Sequence, residues 1–244
     1  MKKVLVIGGA NGIGLSIAKV LTAKDRIEKV YIVDKAPLSE CYKESKIGSY
    51  QFDLTNDDYS IFKEFNDVDG LVITAGFGRL ALFENIDESL IPQYFNVNSV
   101  AIIRIIKMFY QRLLSNDDFF CCVMGSIAGF MSSPFLSIYG ATKAALKIFI
   151  ESVNVELEVA GTTNRILHVA PGSIKGTSFY QGKTDLSITH DLANTIVEMM
   201  EQKRDIFIPK YEEIFKNVLD RYHADFRKEG RHSYEYKLLT MNNR

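Results

Sequence analysis

Met1-Lys-Lys-Val-Leu-Val-Ile-Gly8-Gly9-Ala-Asn11-Gly12-Ile13-Gly14 opens the chain, an apolar run rich in Val and Ile that breaks into glycines and continues as Leu15-Ser-Ile-Ala-Lys-Val-Leu21. The pattern predicts a strand, a tight turn and an amphipathic helix. Glycines at such a turn let the backbone bend sharply and approach a pyrophosphate. The phosphate charge then sits at the amino end of the helix, where free N–H groups point outward. A glycine-rich turn can also be only a turn. Its placement between a first strand and a helix, with a second apolar run Val30-Tyr-Ile-Val33 ending in Asp34, points to dinucleotide binding by Gly8, Asn11, Gly12, Ile13 and Gly14. Asp34 lies twenty residues beyond Gly14, where a carboxylate accepts hydrogen bonds from the adenosine ribose hydroxyls. A solvated acid at a strand end is its plainer reading. A carboxylate there repels a 2′-phosphate, so NAD(H) is favoured. Lys35 follows immediately and Asn11 is uncharged, which leaves NADP(H) possible.

Outward from this stretch, apolar runs alternate with helical patterns, which argues for a parallel sheet covered on both faces. Strands are expected near 3–7, 29–33, 49–52, 69–73, 118–124, 164–170 and 206–208, and the two longest helices near 88–113 and 137–160. The segment after Asp34 is short, so its crossover helix is expected to be reduced or irregular. Tyr211, Ile214, Phe215, Val218, Leu219, Tyr222 and Phe226 recur at helical spacing, marking a C-terminal amphipathic helix for core or oligomer packing, or for a membrane surface. Residues 230–244 are expected to be partly mobile. With 244 residues, 47% of them apolar, and a net charge of −1, the chain can bury one sizeable core and nothing biases it toward nucleic acid. No apolar stretch reaches the eighteen or so residues of a membrane span. The N-terminal apolar run is short and ends in glycines, so it reads as a first strand and not as a signal peptide. Cys41, Cys121 and Cys122 are an odd number without paired-ligand spacing. They predict reduced thiols, a cytoplasmic location and no metal site. Cys121 and Cys122, adjacent in a strand, should face opposite ways.

Tyr139 and Lys143 form a second signal. Four residues is about one helical turn, so both side chains share a face. A phenol ionises near pH 10, and a fixed ammonium within about 4–6 Å lowers that value by favouring the phenolate. The pair is therefore a candidate general acid/base, although the same spacing is common on solvated faces.

The spacing Gly8-x-x-x-Gly12-x-Gly14 with Tyr139-x-x-x-Lys143 resembles the single-domain branch of the short-chain dehydrogenase/reductase family, from Lys2 to about Thr177. The resemblance implies an α/β fold, a doubly wound Rossmann fold with about seven parallel strands. One domain spans 1–244, with 1–165 mainly on the cofactor side, 171–190 as substrate loop and 211–244 as C-terminal helix and tail. It places Ser126, thirteen residues before Tyr139, as the serine that orients a substrate oxygen. Asn98 matches the asparagine that bends its helix and links the lysine to solvent. Asn98, Ser126, Tyr139 and Lys143 then form a complete tetrad. Asp53, with Leu54, resembles the acid beside the adenine, though it could equally cap a following helix. Ala75-Gly76 resembles the turn under the cofactor, which Tyr139 and Lys143 also contact in such enzymes. Pro171, Gly172, Ile174 and Thr177 resemble the loop that meets the nicotinamide, with its Thr one place later than usual. Ile7 stands where the family often has Thr, and Thr74 where it often has Asn.

The implied activity interconverts a secondary alcohol and a ketone by NAD(P)-dependent hydride transfer, with Tyr139 as general acid/base, in a homodimer or homotetramer. A non-catalytic dinucleotide sensor, or a sugar-nucleotide epimerase or dehydratase, are the alternatives. Phe77, Phe130, Met131, Phe135, Phe179 and Tyr180 fall in loops that could line a partly apolar pocket. Lys175 and Lys183 could meet an anionic group. His168 is expected to be buried strand filling.

Overall fold

The computed structural model describes residues 1–177, 179 and 184–242, the last three of these by backbone alone. Among them, seven parallel strands form one sheet: β1 (Lys3–Ile7), β2 (Lys29–Asp34), β3 (Ile47–Gln51), β4 (Gly70–Ile73), β5 (Phe120–Met124), β6 (Ile166–Val169) and β7 (Ile206–Phe207). The helices are α1 (Gly12–Thr22), α2 (Leu90–Phe95), α3 (Ala101–Leu114), α4 (Ser137–Val159), α5 (Leu186–Glu201), α6 (Lys216–Ala224) and α7 (Phe226–Asn242). Across the sheet the order is β3-β2-β1-β4-β5-β6-β7. Strand order therefore reverses between β1 and β4, where diverging connections leave a crevice at the carboxyl ends of the strands. This is the doubly wound α/β fold expected from the sequence.

Parallel strands need cover on both faces, and β1 and β4 are unbroken apolar runs because both of their faces are buried. On one side, Leu15, Ile17 and Leu21 of α1 and Ala193, Ile196 and Val197 of α5 pack on Val4, Val6, Ile32 and Cys122. On the other, Ile102, Ile105 and Phe109 of α3 and Leu146 and Ile150 of α4 pack on Leu5, Ile7, Leu71 and Cys121. The two adjacent cysteines thus face opposite layers.

Local departures from expectation have physical causes. β3 is an edge strand that begins at Ile47 and ends at Gln51, and the crossover before it holds only a 3₁₀ turn at Glu40–Tyr42. The expected 88–113 helix is α2 and α3 joined by a π-helical turn at Asn96–Val100. Pro92 sits in the first turn of α2, where its missing N–H is not needed. The C-terminal amphipathic stretch breaks at Asp225, which leaves helical geometry (φ −156°). Its carboxylate accepts from the N–H groups of Arg227 and Lys228, both at 3.0 Å, and so caps α7. Of the residues expected to be partly mobile, 230–242 continue as helix, and 243–244 lie outside the described residues. Buried Glu229 accepts two hydrogen bonds from Arg221, at 2.7 and 3.0 Å, tying α7 to α6. Lys237 donates to Ser133 Oγ at 2.6 Å and to the Pro134 carbonyl at 2.8 Å, docking α7 onto the segment between β5 and α4. Among the described residues no helix is long and apolar enough to cross a membrane.

Candidate active site

The glycine turn leaves β1 at the crevice. Gly8 has φ +85°, and a Cβ on it would lie 2.5 Å from the Ala75 nitrogen. A Cβ on Gly14 would lie 2.2 Å from the Gly8 carbonyl oxygen. Only glycine fits either position. Thr74 Oγ1 donates toward the carbonyls of Ile7 at 3.2 Å and Gly8 at 3.0 Å, which ties β4 to the turn. Helix α1 starts at Gly12, its first turn carries no acidic residue, and Asn11 makes no side-chain cap. Gly12 N–H is taken by the Thr184 hydroxyl at 3.1 Å, and among the described residues the next N–H groups of the helix, those of Ile13 and Gly14, are left for an anion. This cradle fits a dinucleotide pyrophosphate.

Asp34, at the end of β2, aims its carboxylate back at this turn. Oδ2 accepts from Ala10 N–H and Oδ1 from Ala36 N–H, both at 2.9 Å. Each oxygen retains a lone pair for a ribose hydroxyl. Asp53 accepts from Thr55 N–H and its hydroxyl, both at 2.9 Å, and pairs with Lys35 at 2.9 Å. The Lys35 ammonium and the Thr55 N–H hold its carboxyl below the usual carboxylate range. Lys35 therefore bridges the ends of β2 and β3, at the expected adenosine position. Leu54 is buried beside it and accepts from the Tyr59 hydroxyl at 2.7 Å.

At the carboxyl end of β5 the four tetrad residues converge, all buried. Asn98 lies in the π-helical turn. Its Oδ1 accepts from Phe77 N–H at 2.9 Å, and its Nδ2 donates to the Phe77 carbonyl at 2.8 Å and to Thr142 Oγ1 at 3.3 Å. These bonds lock the 76–78 segment against α4. Gly76 lies between them, since a Cβ there would sit 3.1 Å from Asn98 Oδ1 and 3.4 Å from Lys143 Nζ. Lys143 Nζ donates to the Met124 carbonyl at 2.9 Å and stands 5.7 Å from the centre of the Tyr139 ring. Ser126 caps the turn after β5, its Oγ accepting Ala128 N–H at 3.1 Å.

Burial governs the charges here. It pushes the Tyr139 phenol up to about 12, with hydrogen bonding to Ser126 pulling partly back, and it pushes the Lys143 ammonium down to about 8. Loss of hydration thus sets the phenol here, with Ser126 as the group that favours its ionised form, while the Lys143 ammonium is held by a backbone carbonyl.

The loop residues divide. Phe77 packs tilted against Tyr94 at 4.5 Å in a cluster with Ile138 and Tyr139. Phe179 covers the Tyr139 ring at 5.2 Å, an approach that Gly78 permits by lacking a side chain. Phe130 and Phe135 turn away from Tyr139. Phe130 stacks on His168 at 5.6 Å, and Phe135 packs on Tyr234 of α7 at 4.8 Å with φ 67°. Phe130 and Met131 line a cavity of about 460 Å³ with Gly140, Ala141, Ala144 and Tyr222, on another face of α4 from Tyr139. Tyr180 and Lys183 lie outside the described residues, and Lys175 is exposed.

The loop after β6 reaches both ends of the site. Pro171 accepts Ile127 N–H at 3.0 Å, and Gly172 lies under Phe215, whose Cζ would be 2.6 Å from a Cβ there. Thr177 donates to the Ile174 carbonyl at 3.1 Å and packs on Gly12. Sequence reasoning missed Thr184, whose hydroxyl accepts Gly12 N–H at 3.1 Å. With 172 residues separating the pair, nothing local signals it. It also missed Tyr94, whose hydroxyl accepts Arg79 N–H at 3.2 Å; its place on an amphipathic helix reads only as core.

Comparison with known proteins agrees with this geometry. The sequence profile of the short chain dehydrogenase family matches residues 2–186. An uncharacterized oxidoreductase of Saccharomyces cerevisiae is 26% identical over 216 residues, covering 81% of this chain and 70% of the yeast protein. A short-chain dehydrogenase from Streptomyces avermitilis superposes with a TM-score of 0.77 at 19% identity, over 96% of this chain and 97% of its own. One from Sphingobium yanoikuyae, in complex with NADPH, superposes with a TM-score of 0.72 at 20% identity, over 92% and 96%. With its glycine turn, strand order and profile match all pointing one way, the chain belongs to the short-chain dehydrogenase/reductase family of oxidoreductases.

Proposed function

We propose that the chain interconverts a secondary alcohol and a ketone with a nicotinamide dinucleotide, using Tyr139 as general acid/base. The observation that carries this reading is the convergence of Ser126, Tyr139, Lys143 and Asn98 at the carboxyl end of β5, facing the same crevice as the glycine turn. The turn Gly8–Gly14 holds the pyrophosphate, Asp34 the adenosine ribose, Asp53 with Leu54 the adenine edge, and Ala75, Gly76, Pro171, Gly172, Ile174 and Thr177 the nicotinamide end. The bound dinucleotide supplies or takes up the hydride. Tyr139, kept protonated by burial, donates its proton to a carbonyl oxygen and recovers it from a hydroxyl in the reverse direction. Ser126 hydrogen-bonds the reacting oxygen. Lys143 keeps positive charge beside the phenol, and Asn98 holds the turn through which its protons exchange with solvent.

The Asp34 carboxylate favours NAD(H). Lys35 offers a cation to a 2′-phosphate, and the Sphingobium relative, of the same fold, is in complex with NADPH, so the larger cofactor remains an alternative. Phe77 and Phe179 beside Tyr139 suit a substrate with an apolar portion. The outward apolar residues Met108, Ile148, Val155 and Val159 on α3 and α4 suit a homodimer or homotetramer. Sedimentation of wild type against Ile148→Asp tests that assembly: wild type sediments as an oligomer and the variant shifts toward monomer.

The deciding experiment follows reduced-nicotinamide absorbance with NADH and NADPH over a panel of ketones and aldehydes, beside Tyr139→Phe. Turnover that the variant abolishes supports the reading. Cofactor binding without turnover, in both directions, would favour a non-catalytic dinucleotide sensor instead.

A further inference from the structure

His168 on β6 is 1% exposed, and neither ring nitrogen has a hydrogen-bond partner among the described residues. A buried imidazole without partners costs stability, so its shape must matter more than its polarity. The ring is packed by two close neighbours. Phe130 stacks on one face at 5.6 Å with an interplanar angle of 17°. Gly125 lies against the Nε2–Cδ2 edge, so close that a Cβ there would be 1.9 Å from Nε2 and 2.5 Å from Cδ2. Gly125 immediately precedes Ser126, and its N–H donates to the Val169 carbonyl at 2.7 Å, beside His168 on the same strand.

We propose that His168 is a positioning residue for Ser126: its imidazole fills the place of a side chain at position 125 and fixes the backbone that aims the Ser126 hydroxyl at Tyr139. This rests on the dehydrogenase reading above. The two positions form a complementary pair, glycine against a ring edge, and a substitution at one has a predictable remedy at the other. Ser126 stands at φ −170° and ψ 150°, an extended residue between the β5–β6 ladder and a 3₁₀ turn, with its backbone direction set by what packs on Gly125. Removing the ring leaves that peptide free to shift. Adding a methyl at 125 with the ring in place forces it to shift.

The test is a double-mutant cycle with Gly125→Ala, His168→Ala and the double variant, each checked for folding by circular dichroism and thermal melting. Each single variant is expected to lose about tenfold or more in kcat with the KM for dinucleotide within about twofold of wild type. The double variant, whose added methyl at position 125 refills the vacated space, should recover to within about threefold of wild-type kcat. A Gly125→Ala enzyme as fast as wild type, or a double variant no faster than His168→Ala, overturns the inference. If Gly125→Ala fails to fold, the comparison of His168→Ala with the double variant carries the same test. A wild type inert on the whole substrate panel would refute the dehydrogenase reading alone. The cycle is then read in melting temperature, where additive losses at the two positions overturn the pairing.

Discussion

Asn98→Ala isolates what the π-helical turn does. The side chain makes three hydrogen bonds, two of them to the backbone of Phe77 and one to Thr142, from a position that is 0% exposed. Truncation strands the N–H and C=O of Phe77. Each such group costs about 1–3 kcal/mol when solvent cannot replace its partner. Phe77 is half-buried, so water recovers part, and the net loss should be about 3 kcal/mol. For a chain of this size, about 2–4 °C accompanies each kcal/mol, and Asn98→Ala should melt about 6–12 °C below wild type. Asn98→Asp keeps the acceptor for Phe77 N–H and should lose less stability. Its new charge faces Lys143 across Gly76 and draws the ammonium off the Met124 carbonyl, so its turnover should fall as far as that of Asn98→Ala. Scanning calorimetry and single-turnover kinetics read the two effects separately. A melting temperature for Asn98→Ala within about 2 °C of wild type refutes the anchoring argument. The expected destabilisation with full turnover refutes the role in proton exchange and leaves the anchor standing.

Tyr139→Phe keeps the ring that packs under Phe179, so it should melt close to wild type while turnover falls by about 10²–10⁴; a loss under tenfold would remove Tyr139 as acid/base. Asp34→Asn removes the charge that opposes a 2′-phosphate and retains an acceptor for Ala10 N–H. Its ratio of NADPH to NADH kcat/KM should rise about tenfold, or about 1.4 kcal/mol, and an unchanged ratio sinks the cofactor assignment. His168 carries a pH signature. Its pKa is lowered to about 4 by burial and by the nearby Lys143 and Lys147. Between about pH 6.5 and pH 4 the unfolded chain binds a proton there that the folded chain refuses, so stability falls as pH falls through that window. About 3 kcal/mol should be lost by pH 4. Urea midpoints at pH 7, 5.5 and 4 should show this slope in wild type and a shallower one in His168→Ala.

The centre of the sheet was legible because strands such as β1 and β4 are buried on both faces and read as unbroken apolar runs, Val4–Ile7 and Leu71–Ile73. The glycine turn was legible for a steric reason, since atoms 2.2 and 2.5 Å from a hypothetical Cβ leave no alternative residue. What escaped depends on partners far along the chain. The π-helical turn is held by bonds from Asn98 to residues 21 and 44 positions away, and a local pattern reads only a helix there. Phe130 and Phe135 carry loop positions that suit a pocket, but each turns toward a ring the sequence does not place beside it, His168 and Tyr234. The break at Asp225 is a local cap inside an otherwise continuous apolar period, so periodicity passed over it.

Ile7 and Thr74 show how a departure from a family pattern resolves in three dimensions. With an aliphatic side chain at position 7, β1 has no side-chain hydroxyl to offer β4 beneath the turn. Thr74 supplies a hydroxyl from the opposite strand, reaching the carbonyls of both Ile7 and Gly8. The same oxygen would stand 2.4 Å from a Cβ on Gly14, so the hydroxyl and the third glycine of the motif fix one another. The constraint acts on where the Gly8 carbonyl points, and a hydroxyl arriving from β4 meets it. Thr74→Val, nearly the same in volume, would leave that carbonyl unbonded while adding no clash. A dinucleotide affinity several-fold weaker in Thr74→Val, with melting changed by no more than a few degrees, is the expected result. Unchanged affinity would mean that the glycines alone hold the turn.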